Sequence, residues 1–120
     1  MILLDSSMWI DHLRRVETRV VEFLADGQVL VHPFVVAEVA LGSLARRDVV
    51  IDVLKALPQA AVALHEEVMA LIEDERLYGL GIGYIDVHLL ASARLSGAPL
   101  WTRDRRLHAA ADRLGVAAEA

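Results

Sequence analysis

Four acidic residues in this 120-residue chain stand where nothing nearby in the sequence explains them. Asp5 directly follows the apolar run Met1-Ile2-Leu3-Leu4, and Asp104 follows Leu100-Trp101-Thr102-Arg103. Glu38 interrupts Phe34-Val35-Val36-Ala37-Glu38-Val39-Ala40-Leu41. Asp86 interrupts Ile82-Gly83-Tyr84-Ile85-Asp86-Val87-His88-Leu89-Leu90. In a helix, neighbouring side chains lie three and four positions apart. For Glu38 these are Phe34, Val35, Leu41 and Gly42, and for Asp86 they are Ile82, Gly83, Leu89 and Leu90, so neither acid has a base on its own face. Asp11 differs, with Arg14 and Arg15 at helical spacing. A carboxylate on a core-facing stripe is costly unless something compensates it. The compensating group must come from elsewhere in space: an arginine, the amides of a helix N-terminus, or a metal ion.

Each acid taken alone has a purely structural reading. Asp5 and Asp104 suit helix capping. Asp86 suits a first helical turn, where the dipole favours a negative charge. Glu38 suits an ion pair with a distant arginine. Taken together, the four point to chemistry. Converging carboxylates repel one another and cannot all stay ionised without a cation. An oxygen-only donor set suits Mg²⁺ or Mn²⁺. Such an ion lowers the pKa of a bound water and offsets charge building on a phosphate, which is the chemistry of metal-assisted phosphodiester hydrolysis.

The basic residues are biased toward phosphate recognition. All twelve are arginine except Lys55, and the planar guanidinium fork matches phosphate bidentately. They group as Arg14-Arg15 with Arg19, Arg46-Arg47, and Arg103, Arg105 and Arg106, the last group flanking Asp104. Arg14, Arg15, Arg103, Arg105 and Arg106 are the candidates for contact with a nucleic-acid backbone. The chain as a whole is acidic, with 17 acids against 12 bases and a net charge of −5, so bulk positive charge cannot hold it to nucleic acid. The five histidines lack metal-ligand spacing and read as structural or surface groups. Glu66-Glu67 and Glu73-Asp74-Glu75 read as a solvated helix face. Gly79, Gly81 and Gly83 are too loosely spaced, with no lysine following, for a phosphate loop.

The elements that must position these residues follow from the apolar pattern. Short apolar runs at residues 2–4, 29–31, 100–102 and 116–117 read as strands of a parallel sheet buried on both faces, with 61–64 as a weaker candidate. Helical patterns occupy 7–14, 17–26, 34–41, 49–57, 65–77, 84–95 and 104–114, with Ser6 or Ser7 as N-cap of the first. The alternation predicts an α/β protein, a three-layer α/β/α sandwich around a small parallel sheet. In such sheets ligands bind beyond the carboxyl ends of the strands, where Asp5 and Asp104 fall. The length and the 56% hydrophobic content fit one domain spanning 1–120. No run approaches the roughly 20 apolar residues of a membrane span, and the N-terminus lacks the basic region of a signal peptide. The absence of cysteine is compatible with a cytoplasmic location.

These segments resemble a known family. Met1-Ile2-Leu3-Leu4-Asp5-Ser6-Ser7-Met8-Trp9-Ile10-Asp11 looks like the opening of the PIN-domain ribonuclease toxins of the VapC family. Val35-Val36-Ala37-Glu38-Val39 with Leu41-Gly42, then Gly81 through Ala91, then Leu100-Trp101-Thr102-Arg103-Asp104-Arg105-Arg106-Leu107 look like its later acidic motifs, in order and at the family's spacing. The resemblance covers almost the whole chain. It implies a PIN fold with strand order 3-2-1-4-5 and Mg²⁺- or Mn²⁺-dependent endoribonuclease activity. It also implies a cognate VapB-type antitoxin and a homodimer. It assigns Asp5, Glu38, Asp86 and Asp104 to metal binding and catalysis, with the hydroxyls of Ser6, Ser7 and Thr102 supporting them. Ser6 stands where threonine is common, which keeps a hydroxyl. The resemblance also suggests an antitoxin groove along helices 7–14 and 34–41, with Met8, Trp9, Val35 and Val39 as apolar contacts. A catalytically inactive PIN-like binding module is the main competing reading. A phospho-acceptor signalling domain fits less well, because Leu3-Leu4 rather than an acidic pair precede Asp5 and Lys55 lies mid-chain.

Overall fold

Leu3 and Leu4 are completely buried at the centre of a parallel sheet, and everything else is arranged around that strand. The computed structural model describes residues 1–119. Strand β1 (Ile2–Leu4) pairs in parallel with β2 (Val29–Leu30) on one side and with β3 (Leu100–Trp101) on the other. The register sets Ile2 opposite Val29 and Leu4 opposite Trp101. Two further positions extend the sheet as single parallel bridges, Val31 with Gln59 and Leu100 with Ala117. Counted along the chain, the five positions stand in the order 3-2-1-4-5, as the family resemblance implies.

The third position falls at Gln59 and not at 61–64. Val31 donates to the Pro58 carbonyl at 2.9 Å and accepts from Ala60 N–H at 2.9 Å. Beyond it, Ala61 has both backbone groups taken by side chains, its N–H by Ser96 Oγ at 2.9 Å and its carbonyl by Ser92 Oγ at 2.5 Å. A backbone satisfied in this way has no groups left for a ladder.

Seven helices accompany the strands among the described residues: α1 (Ser6–Arg14), α2 (Thr18–Ala25), α3 (Pro33–Ala40), α4 (Arg47–Ala56), α5 (His65–Asp74), α6 (Tyr84–Ser96) and α7 (Arg105–Arg113). Parallel strands require such crossovers. The cap of α1 is Asp5 and not Ser6 or Ser7, so the helix begins one residue earlier than expected. Helix α5 stops at Asp74, three residues short of the expected end. Arg76 adopts φ 53°, and Leu77 N–H returns to the Ile72 carbonyl at 3.0 Å, which turns Leu77 into the core. Helix α6 is buried on most of its circumference, from Val87 through Ala93, as expected of a helix enclosed by its neighbours.

The sheet's carboxyl edge is therefore fixed by β1 and β3 together. Asp5 leaves the end of β1, and Thr102 and Asp104 follow β3. Helices α3 and α6 bring Glu38 and Asp86. No described helix is long and apolar enough to cross a membrane.

Candidate active site

Asp5 is 4% exposed and is gripped from three directions. Its Oδ1 accepts from Ser7 Oγ at 2.6 Å and from Met8 N–H at 3.1 Å, and its Oδ2 accepts from the Thr102 hydroxyl. Burial pushes its carboxyl above the usual range, these hydrogen bonds oppose the shift, and the charge of Asp86 adds to it. Thr102 Oγ1 in turn accepts Asp104 N–H at 2.9 Å, and Ser7 Oγ accepts Arg103 N–H at 2.9 Å. The two hydroxyls thus tie the end of β1 to the end of β3.

Glu38 sits half-buried on α3. Burial raises its pKa, a hydrogen bond from Ser6 lowers it, and the charges of Asp86 and Asp5 raise it again. Ser7 therefore supports Asp5, and Ser6 is the hydroxyl that faces Glu38. Asp86 occupies the first turn of α6, and its Oδ2 accepts Gly83 N–H at 3.0 Å. Asp5, Glu38 and Asp86 accordingly share one electrostatic field. Asp104 reaches that edge through Thr102 and caps α7, its Oδ1 accepting from Arg106 N–H at 2.9 Å and Leu107 N–H at 3.0 Å. Each of these caps uses one carboxylate oxygen of two.

Among the described residues none of the four acids forms an ion pair, which removes the distant arginine considered for Glu38. Nor do any three described acidic or histidine side chains close tightly enough to hold an ion unaided.

Asp104→Ala removes the acceptor for two N–H groups of α7. It is expected to lower stability by about 1 kcal/mol, while Asp104→Asn, itself a good cap, stays close to wild type. Thermal melting in chelator distinguishes the two.

The arginines divide. Arg103 is held by Asp11 at 3.4 Å and Glu17 at 3.0 Å, so Asp11 pairs across the fold rather than with Arg14 or Arg15. Arg14 and Arg15 are exposed and line, with Arg103, a depression of about 510 Å³. Arg105 and Arg106 are exposed in the first turn of α7.

His32, His65 and His88 are built into the scaffold. His32 caps α3, its Nδ1 accepting Phe34 N–H at 3.0 Å. Tyr84 hydroxyl joins His88 Nε2 at 2.9 Å and His65 Nδ1 at 2.8 Å, bracing the first turn of α6 two residues from Asp86. That brace was invisible to a search for metal-ligand spacing; its only sequence signal is Tyr84 and His88 at helical i, i+4 spacing.

The apolar groove expected from Met8, Trp9, Val35 and Val39 does not exist as surface. All four are at most 3% exposed, because α1 and α3 pack on each other through them. The exposed apolar groups near this junction are Leu13 and Leu41, beside a cleft of about 280 Å³ that Ile10, Leu13 and Leu44 help to line.

Residues 2–113 match the profile of the PIN domain family. Two curated relatives, the proteins named Ribonuclease VapC32 in two strains of Mycobacterium tuberculosis (CDC 1551 / Oshkosh and ATCC 25618 / H37Rv), are each 51% identical over 118 residues. The match spans 98% of this chain and 95% of each relative. Among solved structures, the crystal structure of FitAcB from Neisseria gonorrhoeae superposes with a TM-score of 0.59 at 27% identity, over 93% of this chain and 94% of that one.

Proposed function

This chain belongs to the PIN domain family, in the VapC group of ribonuclease toxins, and on that footing we propose that its carboxylate edge hydrolyses RNA. What supports the reading is that the charge of Asp86 acts on Asp5, the charges of Asp86 and Asp5 act on Glu38, and none of the three acids has an ion-pair partner among the described residues. An acidic edge of this kind would repel a phosphodiester unless a cation stood between them. Asp5, Glu38, Asp86 and Asp104 would hold Mg²⁺ or Mn²⁺. When bound, such an ion supplies an acidified water and offsets the charge that builds on the phosphate. The chain's own residues do the positioning. Ser7, Met8 N–H and Thr102 fix the Asp5 carboxylate, Ser6 supports Glu38, and Gly83 N–H orients Asp86.

The partner in this reading is an antitoxin of the VapB type. It would dock by the Leu13 and Leu41 edge and place a basic side chain on the carboxylates, silencing the site by the charge its own residues lack. A homodimer, one PIN domain over the whole chain and a cytoplasmic setting belong to the same reading. A catalytically inactive binding module is less well supported, because all four acids are present and three are held in one field.

Purified protein incubated with total RNA tests the proposal. Cleavage that requires Mg²⁺ or Mn²⁺ and stops in chelator is expected, with new 5′ ends mapped by sequencing. A folded preparation that leaves all RNA intact in either ion would overturn it.

A further inference from the structure

Gly81 and Arg106 share the closest approach that any glycine of the described chain makes to a side chain. Gly81 adopts φ +75°, and a Cβ there would meet Arg106 Cδ and Nη1, each at 2.8 Å. The arginine therefore lies against the Gly81 backbone, in space that only a residue without a side chain leaves open. The backbone on both sides of this contact leads to the site. Gly83, two residues on from Gly81, donates its N–H to Asp86, and Arg106 donates its own N–H to Asp104. Arg106 thus spans from the helix start that carries Asp104 to the loop that delivers Asp86.

Stability does not explain a cation at this place. Among the described residues Arg106 makes no ion pair. It stands in the first turn of α7, the end of a helix where positive charge is disfavoured. Arg103 is the opposite case, with its charge taken by Asp11 and Glu17. A polyanion approaching an acidic edge needs an unneutralised cation beside it, and a guanidinium fork matches a phosphate bidentately.

We infer that Arg106 is the backbone-phosphate contact for single-stranded RNA at this site, with Gly81 as the shelf that sets its guanidinium, and that Arg103 is a structural strut. The inference rests on the ribonuclease reading above.

The test is binding of a fluorescein-labelled single-stranded RNA of mixed sequence to the intact protein at a fixed Mg²⁺ concentration, read on rapid mixing before cleavage intervenes, across a range of KCl. Each single-strand phosphate neutralised contributes about 0.7 to the slope of log affinity against log salt. Arg106→Ala is expected to weaken binding roughly tenfold and to reduce the slope by about that amount. Arg106→Lys keeps the slope, since the charge remains, and loses part of the affinity. Arg103→Ala leaves the slope unchanged. A slope unchanged in Arg106→Ala, or reduced instead in Arg103→Ala, would overturn the assignment while leaving the ribonuclease reading intact. A wild-type protein that neither binds this RNA nor cleaves total RNA in Mg²⁺ or Mn²⁺ would remove the reading itself.

Discussion

Glu38→Gln is expected to reduce RNA cleavage by a factor on the order of a thousand, while the metal-free protein melts higher than wild type. A metal ion that stabilises transition-state charge is worth several kcal/mol, and each 1.36 kcal/mol is about tenfold in rate. Glutamine keeps the shape of Glu38 and an oxygen for the Ser6 hydroxyl, and it removes the charge. The stability effect follows from the direction of the shift. Burial and the charges of Asp86 and Asp5 raise the Glu38 pKa above 4.5. The folded state then holds the proton more tightly than the unfolded chain, and the fold loses stability as pH rises through that window. At pH 7 the whole penalty is present, and the amide removes it. Asp5→Asn is a less clean variant, because both Asp5 oxygens accept hydrogen bonds and an amide nitrogen would face either the Ser7 and Met8 donors or the Thr102 hydroxyl. Single-turnover cleavage and thermal melting in chelator, on the same preparation, check both halves. Full activity in Glu38→Gln, or a lower melting temperature, would contradict the placement of Glu38 in the shared field.

Acid should destabilise the fold well above the pH at which carboxylates protonate. His32 is fully buried, and burial together with neighbouring His88 lowers its pKa from 6.5 to about 4. Because the folded pKa lies below the unfolded one, its contribution to stability is complete above pH 6.5 and is lost as pH falls toward 4. At 1.36 kcal/mol for each pKa unit this amounts to about 3 kcal/mol, or roughly 10 °C in melting temperature for a chain of this size. His88 is shifted the same way by burial and by the charge of His65, and adds to the effect. Asp5 and Glu38, raised by burial, pull in the opposite sense as pH falls. His32→Asn keeps a good cap for α3 and removes the titrating ring. Melting temperatures recorded between pH 7 and pH 4.5 should fall less steeply for this variant than for wild type. Parallel profiles would mean that another group governs the acid response.

The acids were legible in the sequence because each breaks a pattern. Asp5 and Asp104 end apolar runs, and a parallel sheet leaves their strand ends at one edge. Glu38 and Asp86 interrupt helical stripes, and the four motifs in order carried the resemblance to a family. What could not be read were contacts between distant segments. Arg103 is neutralised by Asp11 and Glu17, residues more than eighty positions away in the chain, while Arg14 and Arg15 were the local partners that spacing offered Asp11. Met8, Trp9, Val35 and Val39 have the same apolar character whether they face a partner or the core, and only the packing of α1 on α3 decides it. Gly81 signals φ freedom in the sequence, but not the arginine that occupies the vacated space. The bridge at Gln59 has no sequence signal, because a single pairing beside Pro58 leaves no apolar run to read.

Thermal melting across a Mn²⁺ titration tests the proposal that Asp5, Glu38 and Asp86, with Asp104, form one divalent-cation site, without any knowledge of the RNA target. An ion that binds only the folded state stabilises it by RT ln(1 + [L]/Kd), about 2.7 kcal/mol at a hundredfold excess over Kd, which is roughly 10 °C here. Wild type should rise by that amount and saturate, with Mn²⁺ matching or exceeding Mg²⁺. Glu38→Gln should start higher and rise much less, and Asp11→Asn, whose acid belongs to the Arg103 pair, should respond as wild type does. A wild-type melting temperature indifferent to Mn²⁺, or an equal rise in Glu38→Gln, would contradict the account.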